Sequence, residues 1–537
     1  MKIFSISLLS FLMSHITSFS QNRLVWSSAI THPSTNIVEC KRIETDNDGI
    51  SFTINYTESS NSLYHSYVFL AYNSNGGKEW EFVNDSCLSN CSDNYNEIVP
   101  IGNNGAIFIG YYNDITGGQL RLKRIDKLGN LLWQQYWLTP FIQATPVKAI
   151  LDSQGNLVVG LSAQLNLVDL ADFALAKFDT TNGYLAWHLE IPDEGTLANP
   201  LTEVISDLAI DGNDNVYGCG SGIAATAGVS NNYYFKIDAN GNLVYRSRTS
   251  FNGLNTSIKS IHADGGGSMY LMGVNSGIAV IEKRNRQSGN LVWSSDIRKD
   301  SSEISNVDFV IQSSSIFALN NFRYHDVGGV TWKNNHYLVS KMDTSGAIIW
   351  SQDYFTTTDS IGLQDGTQGA TQLGTCNNNY YVLSTQHSTT TDNLLILHKF
   401  DENGTTVWYD TAIANTAAGN FSFDRACDIY LGRSFSRSSI LTKYSDSFVN
   451  VFSLGKPEQS FKLFPNPASE KISIRFENNI PARAKVVFYN LLGVQTKMIS
   501  LSQNETLISI EDLPIGINFV QLIYSNGIIG SKTFIKE

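Results

Sequence analysis

Charge, proline, methionine and cysteine are all scarce in this 537-residue chain: 16% of residues are Asp, Glu, Lys or Arg, and there are 11 Pro, 6 Met and 6 Cys. With 41 Gly and 42% hydrophobic residues, the composition excludes a disordered or collagen-like chain, because enough apolar surface exists to offset the entropy of folding. A net charge of −12 lacks the basic surface that phosphate-backbone binding needs, so no nucleic-acid partner is expected. Beyond the first twenty residues no window approaches the ~18 uninterrupted apolar residues of a membrane-crossing helix. Catalytic signatures are missing too. None of the nine His is followed by Glu, and no G-x-S-x-G elbow or G-x-x-x-x-G-K-[ST] phosphate loop occurs. No catalytic, cofactor-binding or metal-binding residue is therefore expected. What the chain does have is 24 Tyr and 28 Phe, a composition that favours strands.

The two ends read as address segments. Residues 1–20 combine Lys2, an apolar stretch from Ile3 to Met13 and small residues at Ser18 and Ser20. That order predicts a secretory signal peptide cleaved near Ser20. At the other end, residues 456–460 form a polar linker, and residues 461–537 carry short alternating segments at Lys471–Phe476, Lys485–Tyr489, Thr506–Ile510, Asn518–Tyr524 and Ser531–Ile535. These predict a small antiparallel, immunoglobulin-like β-sandwich.

The middle, residues 21–455, is a repeat. Its second half reads [KR]-x-[DN]-x-x-G-x-[LI]-x-W and ends at Trp80, Trp133, Trp187, Tyr245, Trp293, Trp350 and Trp408, with a degraded copy at Phe452 and a partial copy at Trp26. Spacings run from 44 to 58 residues. Its first half is a polar turn before an apolar strand, as at Asp46-Asn47-Asp48-Gly49 and Asp211-Gly212-Asn213-Asp214. Each unit is two hairpins, and a four-stranded sheet of that size must stack on its neighbours to bury both faces. The expected fold is all-β: an eight-bladed β-propeller, with seven blades the alternative, followed by the C-terminal sandwich. Trp26 would supply the outer strand of the last blade, and the aromatics would fill the gaps between blades. The Asp-rich turns resemble fragments of Ca²⁺ loops but lack the distal Glu, so they read as turn chemistry.

Two resemblances attach to these residues. Leu463-Phe464-Pro465-Asn466-Pro467, Val487 to Gly493, Leu513 to Val520 with Gly516, and Lys532 to Lys536 match in order the motifs of type A C-terminal sorting domains of the type IX secretion system of Bacteroidota. That resemblance implies export through the periplasm to the outer cell surface or the medium, with the type IX machinery as partner. The central unit resembles the tryptophan-docking repeats of quinoprotein-like propellers, which implies the fold; the vicinal cysteines of their quinone-dependent enzymes are missing here.

For function, the variable loops are expected to share one face. The segment Phe322 to His336 is their richest member, offering Arg323, Tyr324, His325, Asp326 and Trp332 to a glycan or protein. A non-enzymatic binding module leads; a polysaccharide hydrolase or lyase with carboxylates in the central funnel is the alternative. Close, buried acids at the funnel favour the enzyme, and a funnel of Gly, Ser and aliphatics excludes it. Cys87 and Cys91 form the most plausible disulfide, a Cys376–Cys427 link stays open, and Cys219 reads as a buried small hydrophobe.

Overall fold

In the computed structural model the described residues are 24–445 and 461–537, apart from 31–34, 60–63, 85–86, 89–93, 115–116, 140–142, 165–171, 192–200, 225–229, 252–255, 299–301, 313, 326–331, 356–369, 388–392, 415–418, 436–437, 477–484, 490–494, 502 and 525–526. The chain divides into two compact units, Met1–Asp446 and Ser447–Glu537. Among the described residues the regular structure is strand, with one three-residue 3₁₀ turn at Gly102–Asn104.

Among the described residues the first unit contains eight antiparallel sheets, seven of four strands and one, that of Thr35–Thr45, with the two-residue strand Cys87–Leu88 as a fifth. Their inner strands, in chain order, are Thr35–Thr45, Asn94–Pro100, Gln143–Leu151, Leu201–Ile210, Thr256–Ala263, Ser302–Gln312, Ala370–Cys376 and Asn420–Phe423. We number the sheets 1 to 8 accordingly. Each inner strand lies against the inner strand of the next sheet, and that of sheet 8 lies against that of sheet 1. The ring is closed, which makes the unit a β-propeller. Apolar clusters fill the seams: Phe69, Phe108 and Trp80 join sheets 1 and 2, and Phe173, Ile205 and Phe235 join sheets 3 and 4.

The repeat explains the seams. Its Gly takes a left-handed φ, +88° at Gly129 and +76° at Gly183, and a Cβ there would strike the aromatic of the preceding sheet, Trp80 and Trp133 respectively. The same pairing recurs at Gly76 with Trp26, Gly241 with Trp187, Gly346 with Trp293 and Gly404 with Trp350. Only a residue without a side chain lets the indole lie this close. Several indoles also donate to a carbonyl in that turn: Trp26 Nε1 to Ser74 O at 2.9 Å, Trp133 to Thr180 O at 2.9 Å and Trp293 to Thr344 O at 3.0 Å. The aromatics stand near the start of the fourth strand, not at its end as the repeat spacing suggested, because the turn that places them immediately precedes it.

Ring closure uses the N-terminal strand. Leu24–Ile30 pairs antiparallel with Ser438–Tyr444 as the outer strand of sheet 8. The degraded copy at Phe452 lies outside the described residues. A disulfide between Cys376 and Cys427 joins the 1–2 turns of sheets 7 and 8, the link that the sequence left open. Of the expected Cys87–Cys91 pair, Cys91 lies outside the described residues. Cys219 is a fully buried free thiol, pushed far up by burial.

The second unit has two sheets, one ordered Phe461–Phe464, Lys471–Phe476, Glu505–Ser509, the other Gln495–Ser500, Lys485–Tyr489, Gly516–Tyr524, Gly527–Lys536. One core holds both, with Ile472, Ile474 and Ile508 facing Val486, Phe488, Val520 and Phe534.

Candidate functional site

In seven of the eight inner strands the ladder slips by one residue at the same place: between Cys40 and Arg42, Tyr95 and Glu97, Pro146 and Lys148, Ile205 and Asp207, Ile258 and Ser260, Asn306 and Asp308, and Ala370 and Gln372. A bulge re-aims the side chains beyond it. The residue following each slip stands four positions ahead of the 1–2 turn, and Asn420 holds that position in sheet 8. All eight residues, Arg42, Glu97, Lys148, Asp207, Ser260, Asp308, Gln372 and Asn420, are polar, although the position after each is occupied by Ile43, Ile98, Ala149, Leu208, Ile261, Phe309, Leu373 and Phe421. The polar residues thus share one level of the inner strands, while the apolar residue after each turns to the opposite face and packs into a seam cluster.

Part of this ring is stitching. Gln372 accepts from Phe421 N and donates to Phe421 O, both at 2.9 Å, and Asn420 Nδ2 donates to Ile43 O at 2.9 Å. Asp207 Oδ2 accepts from Ile261 N at 3.2 Å. Each joins a side chain to the backbone of the next inner strand.

The other part is charged. Arg42 Nη2 lies 2.9 Å from Glu44 Oε1 and 3.7 Å from Glu97 Oε2, and Lys148 Nζ lies 3.7 Å from Asp207 Oδ1. Two cations face four carboxylates. Burial raises the pKa of Glu44, Glu97 and Asp207, against the opposing pull of Arg42 on the two glutamates and of Lys148 on all three. Asp308 is raised to about 7 through burial and the charge of Asp207, with the Lys148 ammonium opposing. Lys148 is thus felt by all four acids, which come from sheets 1, 2, 4 and 6, so the ring is one electrostatic unit. The hydrogen bond of Asp308 comes from its own neighbour, Phe309 N at 2.8 Å. Ser260 is 6% exposed, and its hydroxyl makes no hydrogen bond.

The sequence-predicted binding residues lie elsewhere. Arg323, Tyr324 and His325 close the strand Ser315–His325 and Trp332 opens Trp332–Asp343, with Tyr324 opposite Lys333 and His325 opposite Trp332. What read as a loop is the end of a hairpin; Asp326 lies outside the described residues. The Asp turns are filled from within. Asp46 Oδ1 accepts from Asp48 N and Ile50 N, and Asp211 accepts from Asn213 N, Asn215 N and the Tyr217 hydroxyl. Among the described residues, no group of three or more His, Cys, Asp or Glu side chains is placed to hold a metal ion. No helix there is long and apolar enough to cross a membrane.

In the second unit the first and last sorting motifs meet. Asn466 Oδ1 accepts from Ile535 N at 2.9 Å, and Lys536 Nζ donates to Glu511 O at 2.8 Å and Leu513 O at 2.6 Å. Phe464 packs under Arg475, and Phe464-Pro465 and Asn466-Pro467 are both cis. Gly516 takes φ +104°; Gly493 lies outside the described residues.

Comparison with known proteins agrees with this division. Residues 462–537 match the secretion system C-terminal sorting domain, which supports a type IX cargo, exported to the cell surface or the medium. No curated protein matches the chain. Solved structures that it resembles include the Dos1 propeller, at 9% identity over 78% of this chain and 95% of that one with a TM-score of 0.45. A PL25 ulvan lyase bound to -[GlcA(1-4)Rha3S]- matches at 10% over 78% and 96%, TM-score 0.42. The β-propeller domain of the Trilobed protease from Pyrococcus furiosus matches at 9% over 77% and 95%, TM-score 0.35. The propeller assignment stands on the chain's own ring contacts.

Proposed function

We propose that the protein is an exported eight-bladed propeller that binds a ligand, a glycan or a protein, in its axial ring. Residues 1–20 serve as the leader into the periplasm, 21–455 form the propeller, 456–460 the linker and 461–537 the sandwich that type IX machinery reads. The observation that carries the binding role is Asp308, a carboxylate held in the ring without a cation of its own. Such a group lowers stability, and groups of that kind concentrate at functional sites. The strand ends at Arg323 to His325 and at Trp332 would stand at the entrance.

A second reading is favoured by the same residue. A carboxyl with a pKa of about 7, raised by burial and by Asp207, is suited to donate a proton to a glycosidic oxygen, with a second carboxylate assisting the incoming water. Glycan-array binding and polysaccharide turnover, each measured for the wild type and for Asp308→Asn, separate the two. Binding that depends on Asp308 without turnover supports the module, turnover lost in the variant supports the enzyme, and ligand binding indifferent to Asp308 rejects the axial site.

A further inference from the structure

The ring has one sector whose acceptors outnumber its donors. Going around the axis, Asp207, Ser260 and Asp308 occupy the same level on sheets 4, 5 and 6. Asp207 has Lys148 at 3.7 Å, a loose pair, and backbone donors from Ile261 and Leu208. Asp308 has its neighbour's amide on one oxygen and, among the described residues, no ion pair. Between them, Ser260 is more than nine-tenths buried with an unused hydroxyl, and its side chain is the shortest of the eight. A buried hydroxyl without a partner loses the hydrogen bonds that it makes in water, so the sector is incomplete by itself.

Resting on the axial reading above, we propose that the Asp207–Ser260–Asp308 sector receives a primary ammonium group carried by an unacetylated amino sugar. A primary ammonium has three N–H donors, and the sector presents three acceptors on consecutive sheets. Its charge would make three cations against four carboxylates where there are now two. The sign also agrees with the surroundings, since residues 21–455 hold 27 basic against 42 acidic side chains, a net of −15. An anionic polysaccharide would meet repulsion instead. A sugar fits better than a lysyl side chain because all eight residues at this level are polar. Hydroxyls beside the amine can pair with Lys148 and Glu97, whereas a four-carbon stem would find no apolar wall there.

The test is calorimetric titration of the full mature chain with the glucosamine trimer, its fully N-acetylated counterpart and trilysine. The amine trimer is expected to bind at least about tenfold more tightly than the acetylated one, a difference of about 1.4 kcal/mol. Asp308→Asn should remove that preference, and Ser260→Ala should reduce it. Thermal melting confirms that both variants fold, and Asp308→Asn deletes a charge that burial disfavours. Equal binding of the two trimers, both weakened by Asp308→Asn, overturns the ammonium while leaving the axial site standing. Trimer binding unaffected by Asp308→Asn overturns both. Binding of trilysine alone overturns the sugar, and binding of none of the three overturns the proposal.

Discussion

Leu24 stands opposite Tyr444 in the outer pair of sheet 8, so the first and last strands of the propeller are neighbours. The seam holding them is specific: Trp26 pairs with Lys443, stacks edge-on to Tyr430 and donates to Ser74 O in sheet 1. Lys443 also reaches Asp428 at 2.8 Å. One strand thereby closes the ring and covers an edge that would otherwise template aggregation.

Trp26→Ala is accordingly expected to destabilise the propeller by about 2–4 kcal/mol, the range for removing a large packed side chain. Urea unfolding checks the value, and limited proteolysis should show earlier cutting near sheet 8. A change within about 0.5 kcal/mol, the usual size at an exposed surface site, would contradict the closure role.

Two glycines with similar backbones should respond differently. Gly129 and Gly155 have φ of +88° and +80°, but a Cβ at Gly129 would lie 2.7 Å from Trp80 Cβ, whereas at Gly155 nothing lies within 4 Å. Gly155→Ala is expected to cost about 1 kcal/mol from the left-handed backbone alone. Gly129→Ala should cost about 1–3 kcal/mol more, from overpacking against the indole. Equal costs in chemical denaturation would mean that the aromatic can move aside freely.

The Cys376–Cys427 link closes a sequence separation of 51 residues between sheets 7 and 8. Loop-closure entropy predicts a loss of about 4 kcal/mol when both are changed to Ser. A reducing agent should lower the melting temperature of the wild type and leave the double variant unchanged.

Asp308 gives stability an unusual pH dependence. Its folded pKa of about 7 lies above the ordinary carboxylate value of 3.8, so the folded state holds the proton more tightly. The contribution is full below pH ~4 and is lost as pH rises through about 7, on the order of 2–4 kcal/mol in all. Asp308→Asn should therefore raise the melting temperature more at pH 8 than at pH 5. An equal shift at both would place the pKa elsewhere.

His398 acts in the opposite direction. Burial lowers its pKa to about 3, and the neutral ring bonds Tyr337 Oη at 2.6 Å and Thr406 Oγ1 at 3.0 Å. Its contribution is complete above the ordinary value of 6.5 and is lost as pH falls towards 3. His398→Gln should flatten acid unfolding between pH 6 and 3, followed by circular dichroism, relative to the wild type.

Much of the fold was legible because its causes are local. The Gly that must turn left and the aromatic four residues later lie in one hairpin, so Gly129 with Trp133 or Gly346 with Trp350 can be read from spacing alone. In the tail, Lys471–Phe476 and Lys485–Tyr489 were delimited correctly by alternation, while Phe461–Phe464 and Gln495–Ser500 were missed. The axial ring was not seen, although a signal existed: the residue four before each turn is polar at every sheet, just ahead of an apolar one. No local motif marks it, because its members are about a repeat apart and differ in type.

By itself the sequence determined the repeat, its hairpins, the seam aromatics and the sorting tail, since each depends on residues close together in the chain. Only the tertiary structure decided the register in which the Trp26 segment pairs with Ser438–Tyr444, that Cys376 bonds Cys427, and that Glu44, Glu97, Lys148, Asp207 and Asp308 share one field. Those relations exist only after the ring closes. Charges on separate hairpins are screened by water until the inner strands enclose them, and then one ammonium acts on four carboxylates.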